Sequence, residues 1–197
     1  MKNIALIDNH DSFTYNIKHL IEQTGSGVDV FDSLSLDINL LDNYQKLIIG
    51  PGPGLPLDYP NITSLLEKYA QTKSILGICL GHQAIAQYFG AQLYNLNDVF
   101  HGITSLLSVD NSNVLFRELP SKIPVGRYHS WAVDSENLPN SLKITAQTED
   151  HIIMGLQHTF IVMGTNHGAT STSKGIVTNS YATYYLSWIC RNSSARE

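Results

Sequence analysis

Between residues 74 and 90 the chain reads SILGICLGHQAIAQYFG, an apolar run that passes into a helical pattern through G-x-C-x-G. With no loop between strand and helix, the helix folds back over the sheet, which points to a layered α/β architecture. The preceding residues repeat the alternation. NIALID (3–8) reads as a buried strand, and Ser12 is placed to cap a helix with Phe13, Ile17, Leu20 and Ile21 on one face, ending near Gly25 and Gly27. VDVF (28–31) and KLIIG (46–50) read as further strands, PGPGLP as a rigid loop, NITSLLEKYA as a helix, and Gly90 as the stop of the helix after SILGIC. Strands alternating with helices predict a parallel sheet with right-handed crossovers.

The second half changes character. GITSLLSV, VLFREL, YHSWAV, LKITAQ, IIMGLQ and TFIVMG are short β-like runs separated by turn signals. No linker, low-complexity segment or internal repeat divides the chain, so residues 1–197 are expected to form one domain. That domain is an open, mostly parallel sheet flanked by helices, with a β-rich second half.

Charge and cysteine content narrow the function. A formal net charge of -5 argues against a nucleic-acid partner, which needs clustered Lys and Arg. No apolar stretch approaches the ~18 residues of a membrane span, and MKNIALIDNHD makes a poor signal peptide. Two cysteines, Cys79 and Cys190, form no disulfide framework, so a cytoplasmic, reducing setting with a free thiol at Cys79 is expected.

Reactive groups of an open parallel sheet gather at the carboxyl ends of its strands. Two loops meet that condition here, Gly50–Pro56 and Gly77–Gly81. In the second, Cys79 occupies the nucleophile position of an elbow whose flanking glycines permit close packing, and the tip residue is expected to be strained and exposed. Helix-terminal N–H groups beside the sulfur would lower its pKa, and the Leu80 amide is the natural oxyanion donor. Most lone cysteines are structural, but the glycines at -2 and +2 favour the nucleophile. Gly52-Pro53-Gly54 could be a plain turn or, lying beside the elbow, a second oxyanion donor. A cysteine nucleophile needs a base, usually histidine. His10, His19, His82, His101, His129, His151, His158 and His167 are available; His82 lies too close along the elbow helix, and spacing alone leaves His129 and His167 open.

On DNHDSFTYN (8–16), PGPG (51–54), LGICLGHQAIAQYFG (76–90), FHGITS (100–105), GRYHSW (126–131) and IIMGLQH (152–158), the chain resembles the class I, triad-type glutamine amidotransferases. Within them it is most similar to the glutaminase subunits of anthranilate synthase and aminodeoxychorismate synthase. The resemblance implies a flavodoxin-like fold with no cofactor and no metal. Cys79 would attack the side-chain amide of glutamine, with His167 as base. Gly52, Pro53, Gly54 and Leu80 would form the oxyanion hole, and Gln83, Ser130 and Trp131 would hold the substrate. The ammonia released would pass through a sheltered path to a chorismate-binding synthase subunit, which keeps it unprotonated and nucleophilic. DNHDSFTYN and FHGITS match segments linked to signalling and contact with that partner.

The pattern weakens after about His158. The family's G-V-Q-F-H-P-E-S aligns with Met163 to Thr170, placing His167 on the histidine but Ala169 on the glutamate, and Ile103 stands where lysine is frequent. The third triad member orients the imidazole, and its loss costs orders of magnitude in turnover. Three expectations follow: a glutaminase of reduced activity, helped by a carboxylate such as Glu149 or Asp150; a regulatory subunit without chemistry; or a reading-frame disturbance in the sequence after about His158. The residues after Thr170 are rich in β-branched and Ser/Thr side chains that disfavour helix.

Overall fold

The computed structural model describes residues 4–96, 103–113, 115–159 and 175–178, the last of these by backbone alone. The parallel part is built as the sequence predicts. Strands β1 (Ile4–Asp8), β2 (Val28–Asp32), β3 (Lys46–Ile49) and β4 (Ser74–Ile78) alternate with helices α1 (Thr14–Gln23), α2 (Pro60–Tyr69) and α3 (Leu80–Tyr88). After them come β5 (Leu93–Asn95), β6 (Ile103–Val109), β7 (Lys122–Arg127), β8 (Trp131–Val133), β9 (Leu142–Thr148), β10 (Ile153–His158) and β11 (Gly175–Thr178).

Among the described residues nine strands form one sheet in the order β2-β1-β3-β4-β11-β10-β9-β6-β7, while β5 and β8 pair separately. The run from β2 to β11 is parallel, and every pair from β11 to β7 is antiparallel. The β-rich second half thus extends the parallel sheet, giving a mixed sheet of equal parallel and antiparallel pairings among the described residues.

Successive residues of β1 serve opposite faces, as the period of two requires. Ile4 and Leu6 pack with Ile17 and Ile21 of α1. Ala5 and Ile7 pack with Ile62, Leu65 and Leu66 of α2 and with Ala84 and Ile85 of α3. Helices therefore cover both faces. The chain leaves β1 toward β2 on one side and β3 toward β4 on the other, so the switch of direction lies between β1 and β3. The loops after these two strands and the elbow after β4 meet at one edge, where α/β sheets place their sites.

Three local expectations are corrected. Ser12 does not cap α1: the helix starts at Thr14, and the loop is closed by Asp11, whose Oδ1 accepts from the Phe13 amide at 2.8 Å and whose carbonyl accepts from the Thr14 amide at 3.1 Å. VLFREL is not a strand where it is described. Residues 115–119 form turns in which the Asn113 side chain accepts from the Leu115 amide at 3.0 Å and the Asn111 side chain donates to the Phe116 carbonyl at 3.1 Å. Local side-chain bonds of this kind displace a ladder. In YHSWAV only Trp131–Val133 is strand. Most of TFIVMG lies outside the described residues. Conversely, KIPVGR forms β7 despite Pro124, because among the described residues β7 is the edge of the sheet and a missing N–H there costs no ladder bond.

Candidate active site

The elbow after β4 has the expected geometry. Cys79 adopts φ 53° and ψ -105°, a left-handed conformation that costs a non-glycine residue free energy. It is held by close packing around it. A Cβ on Gly77 would lie 2.6 Å from the His82 nitrogen and against the Gly81 carbonyl, and one on Gly81 would strike the Ile49 carbonyl oxygen. Helix α3 starts at once, the Gln83 amide donating to the Cys79 carbonyl at 3.1 Å.

Cys79 is half-buried rather than exposed as expected, and packs on the apolar cluster around α1. The Leu80 amide donates toward its sulfur. The expected lowering of the thiol pKa is not what results. Burial pushes it up to about 11, outweighing the pull of the Leu80 amide, and the Asp11 carboxylate raises it further. The residue keeps some contact with solvent, yet protein surrounds it on most sides, and desolvation penalises the thiolate. The resting sulfur is therefore a neutral thiol that must lose its proton as it reacts.

The Gly50–Gly54 loop lies against this elbow. A Cβ on Gly52 would sit 2.9 Å from Leu80 Cδ2 and 2.6 Å from Asn9 Cβ, so only glycine fits between β1's loop and the start of α3. Gln83 is buried in α3 and donates from Nε2 to the Trp131 carbonyl at 3.3 Å. Ser130 and Trp131 stand half-buried just ahead of and within β8. Cys79, Leu80 and Gly52 are thus brought together, with Gln83 tied to the 130–131 segment.

His129 is no candidate for the base. It is buried, its Nδ1 lies 3.0 Å from the Trp131 carbonyl, and burial holds its pKa down at about 4. An imidazole in that state accepts protons poorly at neutral pH. His82 is wholly buried within α3, and His158 stacks on Phe89 with ring centroids 3.7 Å apart. His10 faces Asp32 at 3.3 Å, His19 contacts Gln23 at 3.0 Å, and His151 sits in the turn before β10. His101, His167 and Ala169 lie outside the described residues. The two carboxylates considered as substitutes are engaged with cations, Glu149 with Lys122 and Asp150 with the buried Arg127, each at 3.2 Å.

Sequence patterns gave no notice of Tyr59, and marked Asn9 only as part of DNHDSFTYN, linked to signalling and partner contact rather than to this loop. Asn9 is fully buried and donates from Nδ2 to the Gly50 carbonyl at 2.8 Å, and Tyr59 places its hydroxyl 3.1 Å from the Asn9 carbonyl.

The comparisons with known proteins bear on this arrangement directly. Residues 5–165 match the family model for glutamine amidotransferase class-I. The chain belongs to that family. A Haemophilus influenzae protein assigned as anthranilate synthase component II is 44% identical over 155 residues, covering 79% of this chain and 80% of its own. Escherichia coli aminodeoxychorismate synthase component 2 is 41% identical over 158 residues, covering 79% and 83%. Among solved structures, a Thermoplasma acidophilum protein described as part of a GMP synthase superposes with a TM-score of 0.77 at 21% identity, over 98% of this chain and 96% of its own. A glutamine amidotransferase from Thermotoga maritima superposes at 0.70 and 19% identity, over 98% and 83%. At those identities the structures establish the shared fold, and this amidotransferase keeps it with the elbow cysteine at the switch-point edge.

Proposed function

We propose that residues 1–197 form a cytoplasmic glutaminase subunit that hydrolyses glutamine and passes ammonia to a chorismate-using synthase subunit. The single observation that carries this reading is Cys79, held at positive φ at the head of α3 with the Leu80 amide on its sulfur. The component II names of the relatives supply the partner class and the acceptor.

In the proposed reaction the Cys79 thiol loses its proton to His167 as the sulfur bonds to the side-chain amide carbon of glutamine. The negative charge moving onto the amide oxygen is taken up by the amides of Leu80 and Gly52, with Pro53 and Gly54 completing the loop. Collapse breaks the C–N bond, the proton returns to nitrogen, ammonia leaves and a thioester remains. Water then hydrolyses the thioester to glutamate and restores the thiol. Gln83, Ser130 and Trp131 hold the glutamine. The acceptor chemistry, anthranilate or aminodeoxychorismate, belongs to the partner.

The test is reconstitution with a chorismate-using synthase subunit. Wild type is expected to form aminated product from glutamine and from ammonium, and Cys79→Ser from ammonium alone. A wild-type complex that uses only ammonium would overturn the catalytic reading and leave the binding subunit suggested by Ala169.

A further inference from the structure

The Gly50–Gly54 loop has few amide donors to offer. Positions 51 and 53 are proline and carry no N–H, and the Gly50 amide is spent on the Ile7 carbonyl at 3.0 Å. Gly52 and Gly54 remain, and of these Gly52 is the one wedged against Leu80. Whether the Gly52 amide faces the reacting carbonyl depends on how the peptide planes on either side of it are turned.

Two side chains anchor the next peptide planes out, Gly50–Pro51 and Pro53–Gly54. The Asn9 amide group binds the Gly50 carbonyl at 2.8 Å on one side of Gly52. On the other side the Tyr59 hydroxyl lies 3.0 Å from the Pro53 carbonyl. The same hydroxyl lies 3.1 Å from the Asn9 carbonyl, so its one proton is shared between the two loops. Peptide planarity and the fixed φ angles of Pro51 and Pro53 restrict the segment between the two anchored planes, so the anchors together bias how the Gly52 amide is turned. Tyr59 is only 6% exposed, with its ring in the core beneath the loop and its hydroxyl as the polar end. Burial and the nearby Asp58, Asp11 and Asp8 carboxylates raise its pKa, so it remains a donor at neutral pH.

We infer that Tyr59 is a positioning residue for glutamine hydrolysis: its hydroxyl clamps the Pro53 carbonyl to the Asn9 loop and so aims the Gly52 amide at the developing oxyanion. The clamp acts on the transition state rather than on substrate binding, because the ground-state amide oxygen carries little charge. It also acts on acyl transfer alone. Alkylation of Cys79 by iodoacetamide displaces iodide at a saturated carbon and creates no oxyanion.

The inference rests on the glutaminase reading, so wild-type turnover of glutamine in the full chain with its synthase partner is the control; its absence would defeat that reading first. Given an active wild type, Tyr59→Phe is expected to lower kcat by about tenfold, less than the ~10²–10³ of deleting a donor outright. KM should stay within about twofold, as for an interaction made only in the transition state. The rate of Cys79 alkylation by iodoacetamide should not change. Placing 4-aminophenylalanine at position 59, which restores an N–H donor at the same point, should recover turnover. The inference is overturned if kcat is unchanged, if alkylation falls in step with kcat, if KM alone rises, or if the para-amino side chain fails to rescue.

Discussion

Cys79 joins a strained backbone to a poorly solvated sulfur. The positive φ costs about 1–3 kcal/mol at a non-glycine residue, offset by the packing of α3 onto β3 and β4. The thiol pKa of about 11 means that the resting residue is not stored as a thiolate. Burial favours the uncharged form, the thiol, so thiolate appears only as pH rises toward the raised value. Iodoacetamide alkylation of Cys79 without glutamine is therefore expected to accelerate by about tenfold per pH unit from 7 to 9.5, following the thiolate fraction. A plateau below pH 8 would show a thiolate already formed and contradict it. The G-x-C-x-G spacing made the bend legible because glycines report backbone contact. It could not report the desolvation, or the Asp11 carboxylate of β1's loop, some seventy positions earlier, that adds to it. Asn9 and Asp11 fall in DNHDSFTYN, whose pattern says nothing of their place at the elbow, and the Tyr59 hydroxyl falls in no motif at all.

At the level of elements, β4 and α3 act as one unit because two glycines allow them to touch. A methyl group at position 81 would meet the Ile49 carbonyl, and neither a strand backbone nor a buried helix start can yield. Gly81→Ala is expected to destabilise the chain by about 1–3 kcal/mol, the usual range for overpacking, read as a lower urea midpoint, with glutaminase activity falling beyond that loss. An unchanged midpoint would mean that the elbow tolerates a Cβ. The first four strands and three helices were readable because apolar runs alternate with amphipathic ones. Elements whose fate depends on position in the sheet were not. Pro124 hides β7, which is permitted only as an edge, and Asn111 and Asn113 turn an apolar stretch into a knot of turns around the buried Phe116.

Over the whole molecule, the site exists because the direction of chain progression reverses between β1 and β3, gathering three loops from separate parts of the sequence at one edge. Local pattern predicted the parallel half; it carried no information on β11 entering between β4 and β10 and joining it to the antiparallel half. Such pairings are long-range and are decided by which edges remain unfilled after the local elements form. The reaction is assigned to one of the two cysteines in the full chain, and both can be tested at once. The full chain with its synthase partner is treated with a glutamine analogue bearing an electrophilic diazoketone, and the modified peptides are mapped by mass spectrometry. Modification at Cys79, stoichiometric with loss of glutamine-dependent activity and prevented by glutamine, is the predicted result. Modification at Cys190, or loss of activity with Cys79 untouched, would contradict the assignment.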